Sequence, residues 1–338
     1  MIVTKGAFRS LYVPILIEQL FILLMGQADT LMLNSYSTNA VAASGMTSQI
    51  LMLITFLITI IHVGTNIRIV HLKAHQTSMI PKEVYHNLLF NIIVSIVFTL
   101  VVGMVFSPLL HLFQVPKDIF NLTYQFGLVI LSVLTLTSTQ MYIGTVLRIM
   151  NYAAIATRIT VISNLTNIIL NAFVLFIIPD LVGNPVLAVA YATAISRLLG
   201  CLLAFIALLK IYRPKLHYFK INFKILYQVS TLGIPSAGEQ ISYNFAQTFT
   251  TAFIAMLGTQ VIAAKSVATV LSGLSFSCAM AFSAACQIYL GHFIARHRYS
   301  VLKKTVLRSI WFNVIQSLII MVCVLVGFVA VGRWLTHD

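Results

Sequence analysis

The chain has 338 residues, 59% of them hydrophobic, and its 21 Lys plus Arg and 7 Asp plus Glu leave only 8% charged. Soluble domains carry roughly a quarter charged residues, so this composition excludes an ordinary globular enzyme, a disordered chain and a nucleic-acid-binding tail. The formal net charge of +14 would suit an anionic partner if it were gathered on one face, but the basic residues sit in short gaps between apolar runs and so report topology.

A helix that crosses a bilayer needs about 20 mostly apolar residues. Such runs predict nine helices, at residues 11–33, 41–70, 87–112, 122–147, 159–179, 185–209, 226–257, 261–291 and 307–332. Lys5 and Arg9 ahead of the first run resemble a signal peptide, yet the stretch continues to Leu33 without a small-residue cleavage site, so it reads as a retained helix. With the N-terminus cytoplasmic, 17 of the 21 basic residues fall in inside segments; Lys117, Arg197, Lys265 and Arg333 do not. The chain is therefore expected in the inner (plasma) membrane, multi-pass, with its N-terminus inside. The runs lack the ten-residue alternation of a barrel, which makes the expected fold an all-α integral membrane bundle. Residues 1–209 form an N-terminal six-helix lobe, 210–225 a basic linker and 226–338 a three-helix C-terminal lobe. The linker, KIYRPKLHYFKINFK, interleaves apolar and basic residues and reads either as a lipid-surface segment or as a solvated loop.

Ionisable and polar residues inside spans are functional candidates because lipid solvates them poorly. The first helix carries Glu18, Gln19 and, in GQADTLML, Asp29. His71 and His75 end the second helix at i, i+4 spacing, but no carboxylate motif accompanies them and no metal site is expected. The third and ninth helices read as almost purely apolar and are expected to face lipid. The fourth contributes Tyr124. On the fifth, Thr160, Asn164, Asn167 and Asn171 recur at steps of 4, 3 and 4, placing four hydrogen-bonding side chains on one face. That stripe could serve helix packing or a site. Thr193 lies on the sixth helix, and Asp29, Asn171, Thr193 and Tyr124 all fall in the outer half of the first lobe. One carboxylate among neutral oxygens in a low dielectric suits a proton or a hard cation, which makes this group a candidate coupling-ion site. On the seventh helix Gln240, Tyr243 or Asn244, Gln247 and Thr251 form a second stripe beside Glu239, a candidate substrate path. Glu18 and Glu239 could face a cationic substrate or pair with a basic group such as Arg197. Lys265 is free to snorkel to the interface. The four cysteines lie inside apolar runs and read as packing residues.

The chain also repeats itself. At an offset of 221 residues Pro14 falls on Pro235, Glu18 on Glu239, Gln19 on Gln240, Ile67 on Ile288, His71 on His292 and Lys82 on Lys303. An even number of helices separates the copies, so they share one orientation, as in transporters whose halves are related by an axis along the membrane normal.

These motifs resemble one family. PILIEQLFILLMGQADTLML followed by AVAASGMTSQI, NIILN after a TRI start, AVAYATAISRLLG, and VIAAKSVATVL are together similar to the multidrug and toxic compound extrusion (MATE) family over essentially the whole chain. The resemblance implies two six-helix lobes and an antiporter that exports amphipathic or cationic drugs against an inward H+ or Na+ gradient by alternating access. It makes Asp29 the coupling carboxylate and assigns Asn167, Thr193 and Tyr124 to its surroundings. Members carry an Asp where Asn171 stands, so the site here keeps a single carboxylate and leans towards H+. Tyr243 stands where many members have a second-lobe Glu. Family members have twelve helices and this chain nine, which leaves open a transport-inactive remnant or a subunit completed by a second chain. A lipid-linked saccharide flippase of related architecture is a further alternative. No enzyme is expected, since no nucleophile and base pair or metal set emerges, and no cofactor beyond the coupling ion; the partners are a small-molecule substrate and membrane lipid.

Overall fold

The structure is a computed structural model that describes residues 5–178, 183–215, 218, 222–255, 259–297 and 299–335. Among these residues the secondary structure is helical throughout: α1 Lys5–Tyr36, α2 Thr38–His75, α3 Ile80–Leu112, α4 Lys117–Ser132, α5 Leu134–Ile149, α6 Ala153–Ala172, α7 Pro185–Ile211, α8 Phe223–Ala255, α9 Thr259–Ala295 and α10 Tyr299–Leu335. A 3-10 turn, Thr77–Met79, precedes α3, and a π-helical turn, Phe173–Ile177, continues α6. The protein is an all-α membrane bundle. Among the described residues six helices are long and apolar enough to cross a bilayer, or up to eight spans where each of two bent pairs crosses as one. The span expected at 122–147 is one of those pairs, α4 and α5, which meet at 44° around Val133. The other bend, of 49°, lies between Met52 and Leu57 of α2. There the Thr55 and Thr59 hydroxyls donate to the Leu51 and Thr55 carbonyls at 2.9 Å each, a back-bonding that tilts carbonyls and curves helices.

Local chemistry sets the helix ends. Ser37 caps α2 by accepting the Asn39 N–H. Asn184 caps α7, its Oδ1 accepting the N–H groups of Val186 and Leu187 at 3.1 and 3.4 Å, with Pro185 in the first turn where no donor is needed. Asn151, at φ 68°, turns the chain from α5 to α6 in the left-handed region that Asn tolerates.

The chain forms two compact units, residues 24–241 and residues 1–23 with 242–338. The segment 210–225 lies inside the first of these.

In the 24–241 unit one apolar cluster joins Ile50, Ile54 and Ile58 of α2 to Phe106 and Leu110 of α3 and Leu131 of α4. A second joins Leu33 of α1, Phe126 of α4, Leu175, and Val186 and Val189 of α7. Polar contacts bind the same helices at their other end. Arg68 of α2 forms a bidentate salt bridge with the buried Glu83 of α3 and also donates to Gln228 of α8. Lys73 Nζ donates to the Ile149 carbonyl at 2.6 Å, and the Tyr142 hydroxyl to that of Val84 at 2.8 Å. α8 crosses α2 through two glycines. A Cβ on Gly64 would lie 1.9 Å from the Val229 carbonyl oxygen, and one on Gly233 2.0 Å from that of Ile60. Only hydrogen permits this approach, the small-residue crossing common in membranes.

α3 departs from the purely lipid-facing helix expected of it. One face does expose Ile96, Val97, Leu100, Met104 and Val105, but Glu83, Asn87, Asn91 and Ser95, four residues apart, are buried along the other. The physical reason is pairing: Asn91 Oδ1 accepts Ser138 Oγ of α5 at 2.9 Å and lies 3.0 Å from Nε2 of the buried His62 on α2.

In the other unit the first turns of α1 meet α9 and α10 in an aromatic cluster. The rings of Phe8 and Phe282, and of Phe282 and Phe312, have centroids 5.5 and 5.2 Å apart, and the Tyr12 hydroxyl donates to Gln316 Oε1 at 2.7 Å. Beyond this contact Leu318, Ile319, Met321, Val322 and Val326 of α10 are exposed, as expected of a lipid-facing helix.

Two substitutions test this packing. Gly64→Val should force α8 off α2 and lower the yield of monodisperse protein in size-exclusion chromatography, whereas Gly45→Val, at a glycine with open space around it, should not. Asn91→Leu strips Ser138 and His62 of a buried acceptor and should cost about 2 kcal/mol, read as a lowered melting temperature of the purified protein.

Candidate functional site

Helix α6 presents its polar stripe to two neighbours at once. Asn171 Nδ2 donates to Asp29 Oδ1 of α1 at 3.0 Å. One turn along, Asn167 Nδ2 donates to Thr193 Oγ1 of α7 at 3.0 Å, and the Thr193 hydroxyl donates to the Val189 carbonyl at 3.0 Å. A turn further, Asn164 Oδ1 accepts Arg197 Nη1 of α7 at 3.3 Å. The three asparagines are 2%, 4% and 7% exposed in that order, so these amides are spent on neither solvent nor lipid. The fourth member, Thr160, donates back to the Ala156 carbonyl of its own helix.

The spacing explains this ladder. Steps of 4, 3 and 4 keep the side chains within one narrow face of α6, while Val189, Thr193 and Arg197 are spaced by 4 along α7. The two stripes therefore meet rung by rung. Immediately after Asn171 the helix widens into the π turn, a feature that recurs beside functional residues.

Arg197 was a sequence candidate for pairing with Glu18 or Glu239; its described hydrogen bond is to Asn164, and it lies within electrostatic reach of Asp29. The site thus contains a carboxylate, a guanidinium and a run of neutral amides. Among the asparagines of the stripe, Asn171 has unused capacity: its Oδ1 is buried without a hydrogen-bond partner.

Of the residues grouped by sequence, Asp29, Asn164, Asn167, Asn171 and Thr193 come together. Tyr124 does not join their hydrogen bonds. Its ring packs 6.1 Å from that of Phe106, in the apolar cluster of α2, α3 and α4. Glu239 is exposed on α8, and the side chains of Gln240 and Thr251 lie outside what the structure describes. Glu18 is buried and Gln19 half-buried in the unit containing residues 1–23. In that same unit Gln247 Nε2 donates to the Tyr243 hydroxyl at 3.3 Å, the Tyr243 ring stacks on Phe276 at 5.9 Å, and Asn244 is half-buried. His71 and His75 are exposed with rings 4.8 Å apart. Among the described residues no group of three His, Cys, Asp or Glu gathers as a metal site would require.

Sequence reasoning passed over two neighbours. A Cβ on Gly200 would lie 2.3 Å from Gln140 Oε1 and 2.7 Å from Ser163 Oγ, so Gly200 leaves room for Gln140 of α5 beside Ser163 of α6. Ser163 in turn donates to the Ser196 carbonyl at 2.8 Å. Gln140 in STQMY carries no sequence periodicity that singles it out. The buried His62 and Asn91 were also missed, although the i+4 recurrence of Glu83, Asn87, Asn91 and Ser95 was there to be read.

Comparison with known proteins agrees with this architecture. Residues 14–173 and 235–337 match the MatE family. The chain is 30% identical over 309 residues to the uncharacterized transporter YisQ of Bacillus subtilis (strain 168), an alignment covering 89% of this chain and 67% of that protein. Among solved structures, MATE in complex with MaD5 superposes with a TM-score of 0.87 at 20% identity, covering 98% of this chain and 76% of the other. A MOP superfamily transporter from Pyrococcus furiosus, described as having a binding pocket of reverse polarity, does so at 0.76 and 20% identity, covering 96% and 71%. Those identities speak to fold alone; the sequence match over most of the chain makes this protein a member of the MatE family of membrane transporters.

Proposed function

We propose that this chain is an antiporter that exports amphipathic or cationic small molecules across the inner (plasma) membrane in exchange for an inward-moving ion, by alternating access, with its N-terminus in the cytoplasm. Asp29 is the coupling acid. The observation that carries this reading is the Asn171 to Asp29 hydrogen bond at 3.0 Å, which fixes a carboxylate inside a span among neutral side chains.

The chemistry follows from what an amide can do. A carboxylate accepts, and Asn171 offers it Nδ2; a protonated carboxyl donates, and the same amide, turned about its last bond, offers Oδ1, which has no other partner. Asn171 therefore serves Asp29 in both protonation states. A second carboxylate there could not, because two acids that close share one proton. The rungs formed by Asn167 and Thr193, and by Asn164, keep α6 and α7 together while Asp29 on α1 gains or loses its charge. An organic cation is attracted while Asp29 is ionised and released when it is protonated, so substrate and proton exclude one another at the site.

Cells expressing the chain should withstand a lipophilic cation that harms control cells, and everted membrane vesicles should lose its accumulation when the pH gradient is collapsed. Asp29→Asn should abolish both effects at equal protein level; undiminished export by that variant removes Asp29 from the coupling role. Asn171→Leu, which keeps the carboxylate but deprives it of its donor, should slow export without abolishing it.

A further inference from the structure

A proton taken up by Asp29 must leave on the other side of the membrane, and buried polar side chains of the 24–241 unit lie in its way. On α6, Ser163, Asn167 and Asn171 recur every fourth residue and lead from mid-helix to Asp29. On α3, Glu83, Asn87 and Asn91 recur in the same manner. They start beside the turn between α2 and α3, where Glu83 is held by Arg68, a side chain 21% exposed. Groups four apart on a helix lie about 5–6 Å from one another, a gap that one bridging water spans. Each ladder rises about 12 Å, so the two in series cross most of a hydrocarbon core about 30 Å thick.

Both ladders rise from the same end of the bundle, since Lys73 of α2, shortly before α3, bonds the Ile149 carbonyl of α5, shortly before α6. Asn91 stands eleven residues into α3 and Ser163 ten into α6, so the first ladder ends at the depth where the second begins. There α5 joins them. Its Ser138, Thr139 and Gln140 are consecutive and buried, and at about 100° per residue they reach opposite sides of the helix. Ser138 Oγ donates to Asn91 Oδ1 at 2.9 Å, and Gln140 Oε1 occupies the room that Gly200 leaves beside Ser163 Oγ.

Three atoms along this line have hydrogen-bonding capacity to spare: Asn87 Oδ1, Asn91 Nδ2 and Gln140 Oε1 are buried without a partner. Acceptor, donor and acceptor in turn, they suit water, which offers both. In the opposite direction Leu33 and Leu175, which follow Asp29 and Asn171, belong to an apolar cluster. The titratable groups beside the line are His62 of α2, 3.0 Å from Asn91 Oδ1, Glu83 in its salt bridge, and Tyr142 of α5, which donates to the Val84 carbonyl. On α7, Arg197 is held by Asn164.

We propose that the two ladders, with water between their rungs, form a proton exit from Asp29 to the turn between α2 and α3, which is the cytoplasmic end in the orientation given above. The inference rests on the reading of Asp29 as the coupling acid. The O–H bond of protonated Asp29 breaks, the carboxylate remains, and the proton passes to a water and then by exchange along hydrogen bonds to solvent beside Arg68. Amides and hydroxyls hold the water and carry no charge themselves. The proton thus leaves through the interior of one unit, on a path the substrate does not share.

Hydrogen–deuterium exchange of the Asp29 carboxyl, followed by infrared difference spectroscopy of the purified full chain in liposomes, tests the route apart from export. The carboxyl band is identified by its loss in Asp29→Asn. Gln140→Leu and Asn87→Leu each remove a hydrogen-bonded step and should slow the exchange roughly tenfold or more, while the pH at which the band titrates stays where it is. Asn87→Leu is the more telling, because its site lies at the far end of the line from Asp29. Gln140→Glu, polar and of the same shape, should restore exchange, and Met141→Ala, at an exposed neighbour on α5, should leave it unchanged. If one leucine variant does not fold, as judged by its melting temperature, the other carries the comparison. A folded leucine variant that exchanges at the wild-type rate overturns the route, as does a titration midpoint that moves along with the rate. Failure of the coupling reading looks different: no carboxyl band that Asp29→Asn removes, or export indifferent to that variant, removes Asp29 as the coupling acid and the route with it.

Discussion

Hydrocarbon offers no hydrogen bonds, so a polar side chain within a span must find its partner on another helix or leave a donor or acceptor bare at a cost of several kcal/mol. Much of what is specific about this protein follows from that requirement. Apolar surface alone does not align helices in lipid, because lipid tails are as apolar as leucine. The alignment of α6 with α1 and α7 is instead fixed by three amides, each with one correct neighbour. The alignment of α2, α3 and α5 is fixed by Asn91, His62 and Ser138. Both sets are buried, and both join helices that also share an apolar cluster, so polar matching and packing specify the same arrangement.

The same requirement shapes what the site can do. A lone ionised carboxylate would be costly in a membrane span, and here it has a hydrogen-bond donor in Asn171. Neutral amides carry the remaining contacts. They tolerate a change of charge on Asp29 because an amide can present either end. A site built from several carboxylates would respond to each proton by reorganising; one built from a single acid and several amides responds locally.

How far the sequence disclosed this varied with the kind of signal. The helices were visible as apolar runs, and the stripe of α6 was visible because four polar residues in an apolar helix stand out at helical spacing. Asp29 was conspicuous as a carboxylate inside a span. The stripe of α3 was hidden for the opposite reason: with a mean hydropathy of 2.7 that span is the most apolar of those scored, and averaging buried the signal of Glu83, Asn87 and Asn91. Tyr124 illustrates a different limit. Sequence places it by depth alone, depth does not say which way a ring points, and this one points into the apolar cluster around Phe106. Charge alone suggests a glutamate as the partner of Arg197, yet its hydrogen bond goes to the Asn164 amide. The repeat likewise matches sequence without matching environment, since Glu18 is buried and its counterpart Glu239 exposed.

The apolar cluster of Leu33, Leu175, Phe126, Val186 and Val189 has a bearing on access. Leu33 stands one turn beyond Asp29 on α1, and Leu175 follows Asn171 across the π turn of α6, so towards the Tyr36 end of α1 the acid and its amide are overlain by hydrocarbon. Water and hydronium do not enter such a layer singly at low cost. On the proposed reading of Asp29, a proton arriving from that side meets this apolar cluster first, so the seam between α1, α6 and α7 bears on access as well as the carboxylate itself.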